Sequence, residues 1–334
     1  MSLSHDVAFF LILPPILFLG GMHLNREVLK QDWSLIAFLA IPGVVASALL
    51  VGFPLSYFWH IPINYALLFG ALICPTDPVT TLAIMKKLKT PARLRTILEA
   101  ESLFNDGTAI VLFMVILTMI QKQGPFNFSN ALMQFLLISG GGILVGGTCG
   151  YFINRIIKVT DNYILHLALS AILVFGTPLL AERLHCSGII AIVVAGLMSF
   201  KAHEKTIKLW TTLDIILNTL IFLIIGLQLQ VIGIHHLIQY KIPLATGIIV
   251  VLVSRAMVVY ATRKLCNRFL NPSLPEVWDL ALIWGGLRGT IPIILMMQLP
   301  AFEGRELFLS AGFAIVLFSI IVQGITIEGL LKER

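Results

Sequence analysis

Glu101-Ser102-Leu103-Phe104-Asn105-Asp106-Gly107 stands at the head of an uninterrupted apolar run, Thr108 to Ile120. The run reads as the body of a membrane-spanning helix. The seven residues before it carry two carboxylates, an amide and a hydroxyl. An aspartate at bilayer depth costs ~2.5–3.5 kcal/mol or more and marks a functional site by default. On a helix, Ser102, Asn105, Asp106 and Ala109 fall at i, i+3, i+4 and i+7, which is one face. That face offers three oxygen-bearing groups, one of them titratable, and suits a small cation or a proton.

The surrounding chain fits that setting. Of 334 residues 58% are hydrophobic and only 12% charged, with a mean hydropathy of +0.95. Soluble domains average about 25% charged residues, so the composition is that of an all-α, polytopic membrane protein. The net charge of +6 does not point to nucleic acid, because the basic residues lie in short loops between apolar runs. Cys74, Cys149, Cys186 and Cys266 lie in or beside separate apolar segments without C-x-x-C spacing, and read as small apolar residues. No cleavable signal peptide is expected from a start interrupted by Pro14-Pro15 and Gly20-Gly21.

About eleven spans are expected, near 4–24, 33–57, 62–86, 96–121, 128–154, 162–181, 186–200, 210–230, 242–262, 277–299 and 306–328. The segment 186–200 is short for a bilayer. One set of loops and ends, from Arg26 through Lys86–Arg95, Lys201–Lys208 and Arg263–Arg268 to Arg334, holds seventeen lysines and arginines. The other set holds four: Lys122, Arg183, Lys241 and Arg305. The positive-inside rule places the first set, and the C-terminus, in the cytoplasm. Arg255 and Arg288 remain, both inside apolar segments.

Two of the segments carry helix breakers. The third reads Pro75-Thr76-Asp77-Pro78, whose prolines release the carbonyls of Ala71 and Cys74. The tenth reads Gly285-Gly286-Leu287-Arg288-Gly289-Thr290-Ile291-Pro292. Freed carbonyls at membrane depth must face protein, water or an ion. Paired interruptions in two halves are the sequence pointer to a secondary transporter with inverted repeats. The four-span units 4–121 and 210–328 then match in opposite orientation, joined by linking and interface helices at 128–200. Residues 1–334 are expected to form a single transmembrane domain. Gly142, Gly146 and Gly150, four apart, mark close helix packing.

Asp77 and Asp106 are the central pair, and a purely structural role for both is the alternative. Desolvation and a neighbouring like charge both favour the protonated acid. Such a site takes a proton on one side of a pH gradient and a metal cation on the other. Competition between them supports exchange, provided the site faces one side at a time. Thr76, Ser102 and Asn105 would add neutral oxygens of the kind hard cations take; a hydroxyl bonded back to its own helix is the alternative. Glu101, one position off that face, is expected to pair with Arg255, Arg288 or both, since buried charges pair. Asp214 and Asp279 read as solvated span ends, and His235-His236 as an outward loop. No Walker, H-E-x-x-H or G-x-S-x-G motif appears, so neither ATP hydrolysis, nor another enzyme activity, nor a cofactor is expected.

The stretches Glu101–Ala109, Pro75-Thr-Asp-Pro-Val79 and Gly285-Gly-Leu-Arg-Gly-Thr290 resemble the signatures of NhaP/NHE-type sodium/proton antiporters, in the asparagine–aspartate branch of the cation:proton antiporters. The resemblance covers nearly the whole chain; Leu217–Leu227 is also similar to a family span. It implies a homodimeric inverted-repeat antiporter of the plasma (inner) membrane, with two crossed broken helices in a mobile core. Asp106 would bind cation and proton, with Asp77 the second carboxylate on the transported Na+. Asn105 would be the neutral partner that accompanies electroneutral exchange. Thr76 and Ser102 would complete the site, and Glu101 would pair with Arg255 or Arg288. Li+ and K+ are the other candidate cargoes. Two departures stand out. Leu19, in Phe18-Leu19-Gly20-Gly21, replaces a carboxylate usual in relatives. Against their thirteen spans, the first two helices look absent. A shortened, non-transporting remnant and an intramembrane aspartyl protease using Asp77 and Asp106 are the competing classes; the latter lacks a Gly-x-Gly-Asp motif.

Overall fold

The computed structural model describes residues 7–122, 128–160, 162–199, 204–269 and 274–332. Every regular element among them is helical. A π-helical turn, Val7–Ile12, leads into α1 (Leu13–His23), followed by α2 (Arg26–Gln31), α3 (Trp33–Ala40) and α4 (Pro42–Trp59). Next come α5 (Ile63–Ile73), α6 (Pro78–Lys87), α7 (Ala92–Gln121), α8 (Phe128–Ile157), α9 (Tyr163–Ala171), α10 (Thr177–Arg183) and α11 (Gly188–Met198). The chain ends with α12 (Glu204–Gln239), α13 (Lys241–Phe269), α14 (Asp279–Trp284), α15 (Thr290–Met296), α16 (Arg305–Phe318) and α17 (Gly324–Lys332). Several starts are fixed by polar caps. Asn25 Oδ1 accepts from the amides of Glu27 and Val28, Asn162 does the same for α9, and Ser187 Oγ accepts from Ile190.

Among the described residues, six helical stretches are long and apolar enough to cross a bilayer: Trp33–Trp59, Ala92–Gln121, Ser129–Ile157, Tyr163–Arg183, Lys241–Arg268 and Arg305–Leu331. Phe9–His23, Ile63–Ile73 and Gly188–Met198 are shorter apolar helices. The segments expected at 62–86 and 277–299 contain no full-length helix because each is cut by its breakers, into α5 and α6 and into α14 and α15. The segment expected at 210–230 lies inside α12. That helix also runs through His235-His236, where a loop was expected, because the apolar spacing continues past residue 230; the two histidine side chains lie outside the described residues.

The chain divides into two compact units. One gathers Met1–Leu24 with Asn127–Ile224, so the first expected span clusters with the linking helices. Its spine is the contact of α8 with α11. A Cβ on Gly146 would land on the Ala191 carbonyl, and one on Gly142 on the Ser187 carbonyl, so only glycine admits this approach. Helix α1 packs on the other side of α11, with Gly196 against the Phe18 carbonyl. The outer face of α8 presents Leu132, Leu136, Leu137, Leu144 and Phe152, all exposed and apolar, as a lipid-facing helix does.

The other unit gathers Asn25–Phe126 with Ile225–Arg334. It packs α4 against α5 and α13, α5 and α3 against α7, and α13 and α15 against α16. An edge-to-face aromatic cluster lies within it: the centroid of the Phe308 ring lies 4.9 Å from that of Phe69 and 5.0 Å from that of Phe302. Asp279 is not a solvated end. Its side chain is 21% exposed and its Oδ2 lies 2.8 Å from Arg263 Nε, because the helix start that carries it packs on α13. Asp214, in the first unit, is also partly buried and accepts from Asn218 Nδ2 at 2.8 Å.

Candidate functional site

The site is built where the two interruptions of the second unit meet. Helix α5 stops at Ile73, and Cys74 through Asp77 are non-helical before α6 begins at Pro78. Pro78 thus opens a helix, where its missing N–H costs nothing. The second interruption spans Gly285 to Gly289, and Pro292 likewise falls in the first turn of α15. The Asp77 amide donates to the Leu287 carbonyl at 2.7 Å, and Thr81 Oγ1 donates to the Gly285 carbonyl at 2.8 Å. Gly289 lies against Asp77 so closely that a Cβ there would overlap the aspartate side chain. The two breaks therefore cross.

The carbonyls freed at the first break have protein partners. The Ala71 carbonyl accepts from the Cys74 amide at 3.4 Å. The Cys74 carbonyl accepts from Arg288 Nη1, which also reaches the Pro75 carbonyl at 3.4 Å. Of the partners open to freed carbonyls at membrane depth, it is protein, through the Arg288 guanidinium, that meets them. This narrows the expected ion-pair set to one of its two arginines: Glu101 forms a two-pronged pair with Arg255, at 2.6 and 2.8 Å, and Arg288 is not in it. Arg288 is held away because its own backbone and head group serve the breaks. Its amide donates to Ser319 Oγ at 2.7 Å. Arg255 completes its bonding at the Leu282 carbonyl, one turn before the second break. Glu101, Arg255 and Arg288 are all buried.

Helix α7 supplies the rest. Ser102, Asn105 and Asp106 are buried and project towards the first break, as their spacing requires. Ser102 Oγ donates to the Thr76 carbonyl, and Thr76 Oγ1 donates to Ser102 Oγ at 3.2 Å. Asn105 Nδ2 donates to Thr76 Oγ1 at 3.3 Å and leans towards Glu101 Oε1 at 3.5 Å. These bonds fix the amide so that its nitrogen is spent and its oxygen is not. Asn105 Oδ1 and Asp106 Oδ1 are both buried without a hydrogen-bond partner. Asp77 and Glu101 are the charged neighbours of Asp106, and the Thr76 backbone amide faces its carboxylate. Asp77 is half-buried. Thr76, Asp77, Ser102, Asn105 and Asp106 are thus gathered around one break. A buried acceptor without a donor costs about 1–3 kcal/mol, more if charged. Such a pair of oxygens can be satisfied by a proton on the acid or by a small cation between them.

Three contributors carried no signal in the sequence reading. Ser319 sits in a π-helical turn, Ser319–Gln323, that joins α16 to α17. Thr81 looks like any membrane threonine. The Leu282 carbonyl is main chain. An insertion of the π type at a hydroxyl opposite a helix break is the one cue that could have found Ser319.

The family model for the sodium/hydrogen exchanger, transmembrane, matches residues 2–333. The Na+/H+ antiporter NhaP of Pseudomonas aeruginosa is 37% identical over 96% of this chain and 79% of its own length. The Na+/H+ antiporter NhaH of Halobacillus dabanensis is 35% identical over 88% of this chain and 75% of its own. The solved structure of the sodium proton antiporter MjNhaP1 from Methanocaldococcus jannaschii superposes with a TM-score of 0.80 at 22% identity. That match covers 99% of this chain and 88% of the other.

Proposed function

The chain belongs to the transmembrane sodium/hydrogen exchanger family, and on that premise we propose that it exchanges Na+ for H+ across a membrane by alternating access. It is an integral, multi-pass membrane protein and a transporter rather than an enzyme. The observation that carries the reading is the pair of buried, unpartnered oxygens, Asn105 Oδ1 and Asp106 Oδ1, beside the crossed breaks.

Asp106 is the group for which cation and proton compete. A sodium ion takes Asp106 and Asn105 oxygens, with Asp77 as the second carboxylate and the Thr76 and Ser102 oxygens completing the set. A proton on Asp106 removes one of the two charges that hold the ion, so the acid carries one or the other. Asn105, being neutral, adds no further charge, and that of Asp77 is the same in both states. The Glu101–Arg255 pair adds none either, since its two charges cancel. Arg288 ties down the carbonyls of the first break, which leaves side-chain oxygens to meet the cargo. The repeat units 4–121 and 210–328, a homodimeric assembly, the plasma (inner) membrane and a cytoplasmic C-terminus belong to the same proposal. The excess of lysine and arginine in one set of loops supports the orientation.

The test is cation-driven proton flux in proteoliposomes containing the purified chain. Asp106→Asn is expected to abolish it while the protein stays folded. Retained exchange in that variant would remove the assignment. Parallel measurements with Na+, Li+ and K+ identify the cargo.

A further inference from the structure

Away from the site, one buried charge has a partner that the exchange chemistry does not use. Asp32, between α2 and α3, is 1% exposed. Its two oxygens take a fork from Arg93 at the start of α7, with Nε at 2.8 Å and Nη2 at 2.6 Å. The guanidinium of Arg93 also lies 5.4 Å from the ring centroid of Trp278. Trp278 ends the short 3-10 turn Glu276–Trp278, which runs straight into α14 and so to the second break. The next residue after Asp32 grips α7 again: the Trp33 ring stands edge-on to Phe104, centroids 5.5 Å apart. All of these residues lie in the second unit.

The spacing explains what the grip does. Arg93 and Phe104 are eleven residues apart, about three turns, and so share one face of α7. Ser102 and Asp106 each lie roughly 160° around the helix from Phe104. The α2–α3 corner therefore holds α7 from the side opposite the cation-binding residues. Arg93 is the one group in this set that touches both that corner and the element leading to the second break. A fork of this kind fixes geometry as well as charge, which a lysine in its place would not.

We propose that Asp32, Arg93 and Trp278 form a positioning clamp that sets the height of α7, and with it Asp106, against the second break. The clamp touches neither cation nor proton and acts through the placement of Asp106; it rests on the exchange reading above. Arg93→Lys keeps the positive charge and loses the fork and the flat stacking surface. The expected result is a rise of about tenfold in the Na+ concentration for half-maximal exchange, since displacements below an ångström at such sites carry effects of this size. The maximal rate should change less than twofold. Trp278→Ala should move half-saturation the same way, and Trp278→Phe, which keeps a ring, should restore it. This second pair carries the test if Arg93→Lys is poorly folded. A readout independent of transport is the Na+ concentration at which the purified protein gains melting temperature, which should shift by the same factor. Wild-type half-saturation in Arg93→Lys, or a fall in maximal rate alone, would overturn the clamp. Failure of the exchange reading itself is seen separately, as exchange surviving in Asp106→Asn.

Discussion

The Asp77 amide and the Leu287 carbonyl are joined by a 2.7 Å hydrogen bond that ties together two helix interruptions 210 residues apart. Through it, the placement of the second break sets the placement of a candidate cation ligand in the first. Gly289, two residues past Leu287, is the tightest point of that junction.

A methyl group at Gly289 would have to displace Asp77. Overpacking of this kind costs ~1–3 kcal/mol. Gly289→Ala is expected to fold and to need several-fold more Na+ for half-maximal exchange. Unchanged half-saturation would mean that Asp77 is not a ligand whose position matters.

The Glu101–Arg255 pair predicts a stability effect in the first place. Removing one partner of a buried pair costs about 3–5 kcal/mol because the other charge is left alone. Glu101→Ala should lower both the recovery of folded protein and its melting temperature in detergent. The double variant Glu101→Ala/Arg255→Ala should recover part of the loss. A single variant that melts like the wild type would show that Arg255 finds sufficient bonding at the Leu282 carbonyl.

Ser319 is expected to matter for one bond. In Ser319→Ala the Arg288 amide is buried without an acceptor, at a cost of ~1–3 kcal/mol. The melting temperature should fall while Na+ half-saturation holds. Arg288→Ala is more severe: it releases the carbonyls of Cys74 and Pro75, and exchange should be lost in protein that still inserts. Exchange at the wild-type rate in Arg288→Ala would contradict the role given to the guanidinium.

Gly146→Val probes the other unit. Its side chain would meet the Ala191 carbonyl and push α8 from α11. Thermal stability should drop by an amount on the order of 1–3 kcal/mol. The Na+ half-saturation of the surviving protein should not move, and a large shift there would show that α8 packing bears on the cation site.

Much of the arrangement was legible from residue types. Proline pairs and glycine triplets inside apolar runs mark interruptions because they remove donors or side chains, and the i, i+3, i+4 spacing of Ser102, Asn105 and Asp106 defines a face. What could not be read was who pairs with whom. Two buried arginines and one glutamate admit several pairings, and the choice of Arg255 over Arg288 depends on main-chain carbonyls, which every residue has. The Asp32–Arg93 fork escaped notice because both residues stand at span ends, where solvated charges are the usual expectation. Asp279 was misread for the same reason. The clustering of the first span with residues 127–224 escaped because sequence order says nothing about which apolar faces are complementary.

That clustering has a consequence for biosynthesis. Helix α1 finds its groove on α11 only when the stretch around Gly196 has left the ribosome, some 175 residues after Gly21. At ~5–20 residues per second, the delay is on the order of ten to thirty seconds. During that interval the helix must be kept in place by lipid or by the insertion machinery, with the narrow face around Gly21 uncovered. Nascent chains stalled shortly before residue 188 should therefore leave α1 open to crosslinking, and chains released past residue 200 should not.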